Sequence, residues 1–155
     1  MKRFYFFLLC SLLLLPVTAQ NEQDFASRFM ELYAKGTTMQ CKTVSPSMME
    51  RILNLPMVEE NKQTQEVLSQ LKSIRVIAHQ DTTETDNLYT WAVGLAKQNV
   101  HRYQPYKDKG GQRLYIRRHK GKIVEIVLLA RNKRFTLVNL TGNMSQEFLE
   151  QMEAI

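Results

Sequence analysis

Apolar and polar residues in the first two thirds of the chain follow two different periods. Stretches in which apolar residues recur on one helical face predict helices: residues 22–34, a turn starting at Pro46, 58–71 and 88–99. Alternating, β-branched stretches predict strands between these helices: residues 37–44 and 73–79. This part of the chain therefore predicts two strand–helix–strand units.

The last third of the chain alternates with a period of two residues and is interrupted by short polar turns. Residues 101–107 predict a strand at the edge of a sheet, because Pro105 lacks the N–H group that a central strand needs. RLYIRR, IVEIVLLA and FTLVNLT then predict a β-meander. IVEIVLLA is almost continuously apolar, which is typical of a central strand. A short helix is predicted to close the chain.

Together these elements predict an α+β fold. We expect a single two-layer domain with a mostly antiparallel sheet, a C-terminal β-meander and helices packed on one face. No internal repeat and no linker interrupts the pattern.

The first 19 residues differ from the rest of the chain. Lys2 and Arg3 precede an apolar run over residues 4–15, and a small-residue site ends at Ala19. This pattern predicts a secretory signal peptide over residues 1–19, cleaved after Ala19. The mature chain, residues 20–155, then forms the single α+β domain.

The predicted signal peptide determines the expected location. Cys10 lies within the apolar run and has no small residue before it, so the chain is not predicted to be a lipoprotein. The mature chain contains no other apolar stretch of membrane length, so no transmembrane segment is expected there. We therefore expect a periplasmic or secreted protein.

Positive charge is concentrated in one segment. Residues 102–134 contain 11 Lys and Arg against two acidic residues. Strand alternation places Arg113, Tyr115 and Arg117 on one face, which predicts a face for an anionic partner: a glycan, a lipid headgroup or an envelope protein. A solvated sheet face is the alternative interpretation. Nucleic acid is not expected as a partner, because a secreted protein meets little of it.

Catalytic chemistry has little support in the sequence. Cys41 is the one thiol outside the signal peptide, and the histidines are His79, His101 and His119. A cysteine nucleophile needs a base and a lowered pKa, and a metal needs clustered ligands. The spacing of these residues predicts neither, and no phosphate loop or hydrolase motif is present. We expect no catalytic residue, metal or cofactor.

Asp81-Thr82-Thr83 has two interpretations. It matches the Asp-Thr-small acceptor pattern for O-glycosylation of exported Bacteroidetes proteins, which would modify Thr82. A loop that caps the following helix explains the same residues.

Two segments carry a resemblance to a known family: LKSIRVIAHQ before a helix, and GKIVEIVLLARNKRFTLVNLTGNM before a last acidic helix. With the export signal and the lead helix, the chain resembles the small exported Bacteroidetes proteins grouped as domain of unknown function 4252. The resemblance covers essentially the whole mature chain. Relatives usually have more acidic residues and glycine at the position of the basic turn 131–134, and many resemble lipoproteins. The resemblance implies no established activity.

The sequence therefore favours an exported envelope protein that acts as a non-enzymatic binding module. Two alternatives remain open at this point. One is a small envelope enzyme that uses Cys41 or a histidine, and the other is a purely structural envelope protein.

Overall fold

The computed structural model describes residues 23–153, so the predicted signal peptide lies outside the described residues. The helices are α1 (Phe25–Tyr33), α2 (Pro46–Leu53), α3 (Pro56–Glu59), α4 (Lys62–Ser69), α5 (Thr85–Gln98) and α6 (Gln146–Glu153). The strands are β1 (Gln40–Val44), β2 (Leu71–Ala78), β3 (Gln104–Lys109), β4 (Gln112–His119), β5 (Lys122–Arg131) and β6 (Phe135–Met144). No helix within residues 23–153 is long and apolar enough to cross a membrane.

All six strands form one sheet in the order β1-β2-β6-β5-β4-β3, and each neighbouring pair is antiparallel. The α+β class, the antiparallel sheet and the C-terminal meander β3–β6 are confirmed. β5 lies inside the sheet, as its continuous apolar sequence predicts. β3, which contains Pro105, is an edge strand, so the proline removes no hydrogen bond that a central strand would need.

Both faces of the sheet are covered, so the prediction of helices on one face is wrong. On the first face, α1 and α5 pack over a core that includes Phe29, Leu88 and Leu137. On the second face, α4 and α6 pack over a core that includes Ile126 and Leu149. Alternate residues of β5 belong to different cores, so an apolar strand of this kind needs cover on both sides.

The predicted helix 58–71 is also divided. α3 ends at Glu59, and α4 begins after Asn61, whose side-chain Oδ1 accepts a hydrogen bond from the Thr64 N–H at 3.0 Å. A side-chain oxygen in this position satisfies a backbone donor that has no partner within the helix, which favours a new helix start. The periodicity of the apolar residues continues across this break, so the sequence pattern does not reveal that the helix is divided.

Candidate functional site

The three residues of the predicted anionic-partner face do lie on one side of β4, but they do not form one open surface. Tyr115 is only 4% exposed and belongs to the first core. The Arg113 Nε lies 2.9 Å from Asp108 Oδ2, at one end of the face. The Arg117 Nε lies 2.8 Å from Glu125 Oε2, at the other end. The face is thus divided by a buried tyrosine into two separate sites.

A polar row crosses four strands at the Arg117 end. Antiparallel register pairs Ser73 with Thr141, Thr141 with Glu125, and Glu125 with Arg117. Side chains directly opposite each other on one face are close enough to interact. The Ser73 and Thr141 hydroxyls accordingly share a hydrogen bond. Polar residues that are far apart in sequence therefore meet at one end of the sheet.

Glu125 is the centre of this row and is fully buried. Its Oε2 accepts hydrogen bonds from Arg117 Nε at 2.8 Å and from the Tyr103 hydroxyl at 3.2 Å. Its Oε1 accepts from the backbone N–H of Phe25 at 2.7 Å and from Asn139 Nδ2 at 3.0 Å. A buried carboxylate is tolerated when it is paired with a charge and its oxygens are hydrogen-bonded, and Glu125 meets both conditions.

The same network holds the N-terminus of α1 against the sheet. Asn139 Oδ1 accepts a hydrogen bond from the Ala26 N–H at 2.8 Å, and Asp24 Oδ1 accepts one from the Ser27 N–H at 2.8 Å. With the Phe25 N–H on Glu125, three successive helix N–H groups have side-chain partners, as an N-terminus requires. Asp24 Oδ2 also accepts a hydrogen bond from Arg75 Nε at 2.8 Å.

Beside this network lies a cavity of about 450 Å³, which we call the cationic groove. Its polar lining comes from Lys72, Ser73, Arg75, Arg117 and Thr141, together with Asp24. Arg75 is held from two sides, because its Nη1 also donates to Thr43 Oγ1 at 3.1 Å. Among the described residues, Lys72 forms no ion pair. The arrangement presents two positioned guanidinium groups, an ammonium group and two hydroxyls to one space.

Three irregularities in strand pairing coincide with the cationic groove. The register shifts between Leu71 and Ser73, between Arg117 and Arg118, and between Ile123 and Glu125. β-Bulges redirect side chains and are enriched next to functional sites. Each of these shifts lies at the polar row, so the sheet is distorted where the cationic side chains meet.

The Arg113 end contains a different cavity, of about 310 Å³, which we call the tyrosine pocket. It lies between the C-terminal part of α5 and the β3–β4 hairpin, and Tyr103 and Tyr115 form part of its wall. A hydrogen bond with the Tyr115 side chain raises the pKa of Arg113 above its ordinary value. Burial, followed by the charge of Glu125, raises the pKa of Tyr103 well above its ordinary value. Tyr103 is therefore neutral at physiological pH.

The remaining candidate residues do not gather at either cavity. Cys41 on β1 is partly buried against the first core, and its Sγ lies 3.8 Å from Thr43 Oγ1. His79 is buried, with its Nε2 3.0 Å from Glu84 Oε2. Within residues 23–153, no group of three or more His, Cys, Asp or Glu side chains is arranged to hold a metal ion.

The Asp81-Thr82-Thr83 segment forms a loop before α5, but it does not cap the helix as predicted, because the N-cap residue is Glu84 and it makes no side-chain cap hydrogen bond. Asp81 Oδ1 accepts hydrogen bonds from the Thr83 N–H at 2.8 Å and from the Thr83 hydroxyl at 2.7 Å. These bonds lower the pKa of Asp81. Thr82 itself is exposed. A turn of this kind explains the aspartate, and modification of Thr82 remains a prediction.

The basic turn between β5 and β6 is largely engaged with the rest of the domain. The Arg131 guanidinium lies 4.8 Å from the centre of the Tyr89 ring, and its Nη1 lies 3.6 Å from Asp86 Oδ1. Arg134 Nη1 donates to Gln80 Oε1 at 3.3 Å. The other basic turn, between β4 and β5, is at the opposite end of the sheet, as antiparallel pairing requires. The two turns therefore do not form one patch.

Comparison with known proteins identifies the family. A family model described as "Domain of unknown function (DUF4252)" matches residues 18–152. The chain belongs to this family. Neither a curated protein nor a solved structure matches the chain with significance. The DUF4252 match covers every strand of the sheet and both cavities, but its description assigns no activity to them.

Sequence reasoning missed the buried half of the candidate site. Glu125 is the one charged residue inside the apolar run IVEIVLLA, and Asn139 similarly interrupts FTLVNLT. A polar residue in a central strand needs a partner, so these interruptions were a usable signal. Lys72, Ser73 and Arg75 carried no such signal, because alternating polar residues are ordinary on a strand.

Proposed function

We propose that this DUF4252 chain is a non-enzymatic binding module of the cell envelope, periplasmic or secreted, whose cationic groove binds an anionic group. The group belongs to a glycan, a lipid headgroup or an acidic envelope protein. The observation that carries the proposal is the position of Lys72, Arg75 and Arg117 around one cavity, two of them held by carboxylates.

Preorganisation is the physical reason for this choice. A guanidinium group has five N–H donors in a rigid fork. Arg75 donates from its Nε to Asp24 and from its Nη1 to Thr43, and these two hydrogen bonds do not use all of its N–H groups. Because the side chain is already ordered, a ligand would lose less affinity to the immobilisation of Arg75. Surface lysines in the basic turns lack this support.

The groove is better suited to binding than to catalysis. Asp24, the carboxylate that lines the groove, bonds Arg75 and Ser27, and the neighbouring carboxylate of Glu125 is saturated by four donors. A general base must reach the proton that it abstracts, and a fully bonded buried carboxylate is poorly placed to do so. These features support an anion-binding role over the enzymatic alternative.

The first test uses crosslinking in the native envelope, with Lys72→Glu as the variant. Lys72 is exposed, so reversal of its charge changes the groove without breaking the buried network. Lys133→Glu, on the exposed β5–β6 turn, changes the net charge of the protein by the same amount and is the matched control. Arg117→Glu is unsuitable, because it would place a second acid against buried Glu125.

The expected result is a specific partner that is captured by the wild-type chain and by Lys133→Glu but is lost with Lys72→Glu. Equal capture by all three proteins would exclude the groove as the contact. Turnover of a hydrolase substrate that disappears in Cys41→Ala would instead support the enzymatic alternative.

Export and modification have a separate test. We expect mature protein from the envelope fraction to begin at Gln20. If the Asp81-Thr82-Thr83 loop is an acceptor, the intact mass exceeds that of residues 20–155 by the mass of a glycan. Thr82→Ala should remove this excess mass. Thr83→Ala keeps the acceptor hydroxyl of Thr82 and should retain the excess mass. A mass equal to the bare chain would dismiss the modification.

A further inference from the structure

We infer that the tyrosine pocket is a second binding site, for a small carboxylate with an apolar body. The pocket is separate from the cationic groove, so this inference does not depend on the proposed function. Its evidence is the combination of an apolar wall, an excess of cations around it and a small volume.

The wall of the pocket suits an apolar body. Tyr103 and Tyr115 are 3% and 4% exposed, so their rings are fixed by the first core. Val100, just beyond the end of α5, is 61% exposed and also lines the pocket. A preformed apolar surface with an exposed branched side chain gains from burial by a ligand.

The charges around the pocket favour an anionic head. Lys97, Lys107 and Arg113 line it, against the single carboxylate of Asp108. Asp108 pairs with Arg113, and Lys107 lies 3.5 Å from Glu153 Oε1. Among the described residues, Lys97 forms no ion pair. The Lys97 ammonium group can therefore pair with the anionic head of a ligand without breaking an existing ion pair.

The volume limits the size of the ligand. Cavities for small molecules usually occupy about 300–1,000 Å³, and this pocket, at about 310 Å³, is at the lower end. It is too small for a folded partner or for a complete phospholipid. Short aliphatic and aromatic carboxylates have the required size, apolar body and charge.

The test is a titration of the mature chain with octanoate, octanol and octylammonium, followed by amide chemical shifts. We expect saturable shifts at Val100 and Tyr115 with octanoate, at least tenfold weaker binding of octanol, and no saturable binding of octylammonium. Equal affinity for octanoate and octanol would overturn the inference, since it would mean that the cations contribute nothing.

Variants decide where octanoate binds. Val100→Glu and Lys97→Glu should each weaken octanoate binding at least tenfold. Met57→Glu, at a residue that is 75% exposed and outside the pocket, should leave it unchanged. Lys72→Glu should also leave it unchanged, so the two sites can fail independently. Octanoate binding that survives both pocket variants, or that is lost with Lys72→Glu, would contradict the inference.

Discussion

The two ends of one sheet face differ in what lies beneath their cations. At the tyrosine pocket, Arg113 is next to two buried aromatic rings and pairs with an exposed aspartate. At the cationic groove, Arg117 pairs with a fully buried glutamate that also binds α1. The strand β4 contributes to both ends with the same alternation. The difference therefore arises from the neighbouring strands, whose register places polar residues in one row and apolar residues in the next.

Tyr103 marks the boundary between the two regions. Its ring lines the tyrosine pocket, while its hydroxyl donates to Glu125 at the polar row. Edge-to-face packing against Phe25, at 5.2 Å between ring centres, fixes the ring. The two regions are thus distinct in chemistry, and Tyr103 links the wall of the pocket to the polar row.

The largest effect is expected from Glu125→Leu, which removes the centre of the polar row. Four donors would lose Glu125 as an acceptor together: Arg117, the Tyr103 hydroxyl, the Phe25 N–H and the Asn139 amide. Breaking a buried ion pair typically costs about 3–5 kcal/mol, and urea unfolding measures this loss. Glu147→Gln, on the exposed start of α6, is the control and should change stability by less than about 0.5 kcal/mol. A loss below about 1 kcal/mol would contradict the central role of Glu125.

A pair of glycine substitutions compares the two regions directly. Gly142 borders the cationic groove, and a Cβ there would clash with the Gln70 carbonyl oxygen. Gly142→Ala should therefore destabilise the protein by about 2–3 kcal/mol. Gly94 lies in α5 with nothing within 4 Å of a Cβ, so Gly94→Ala should stabilise the protein by about 0.5–1 kcal/mol. Thermal unfolding of both variants would show opposite shifts. Shifts of the same sign in the unfolding temperature would contradict the close approach of Gly142 to the Gln70 backbone.

Tyr103→Phe sharpens the boundary between the regions. Loss of a hydrogen bond to a buried carboxylate should cost about 1.5 kcal/mol at neutral pH. The raised pKa of Tyr103 also makes wild-type stability depend on pH. The stability that Tyr103 contributes through this raised pKa is fully present below the ordinary tyrosine pKa of 10.0. It decreases as pH rises above that value, because the unfolded chain releases the proton while the folded chain keeps it.

Unfolding measured from pH 8 to 11 checks this expectation. The wild-type protein should lose more stability over this range than Tyr103→Phe, which has no such proton to release. If the free energy of unfolding changes with pH in parallel for the two proteins, the pKa of Tyr103 is not raised, which would contradict its burial beside Glu125.

The smallest effect concerns the basic turn near the tyrosine pocket. Arg131→Ala removes a cation–π contact with Tyr89 and a surface pair with Asp86. The Arg131 guanidinium and Asp86 are exposed although Tyr89 is buried, so we expect a loss of about 0.5–1 kcal/mol. The same variant should leave anion binding at the groove unchanged. Weaker anion binding by Arg131→Ala would indicate that the turn, rather than the groove, is the binding site.

Local patterns predicted the strands well because each reports on its own residues. Pro105 indicated an edge, and the apolar sequence of β5 indicated an interior strand. The same continuous pattern also meant that both faces of β5 would be buried, and this consequence corrects the prediction of helices on one face. Helix breaks were harder to predict, because Asn61 is an ordinary polar residue until its side chain caps α4.

The candidate site depended on information that alternation does not contain. Arg113, Tyr115 and Arg117 were correctly placed on one side of β4, but the row that joins Arg117 to Ser73 depends on the register of four strands. A register shift by one residue moves every side chain to the other face. The three bulges at this row could not be inferred from residue types, and they determine which side chains meet.

The most direct test of the account is an amide chemical-shift titration of residues 20–155 with inorganic phosphate and with glucuronate, a carboxylate sugar. We predict saturable shifts centred on Ser73, Arg75 and Thr141 that are at least tenfold weaker in Lys72→Glu and unchanged in Lys133→Glu. Shifts centred on the turns 119–122 and 131–134, or no saturable shift with either anion, would contradict the claim that the cationic groove is the binding site.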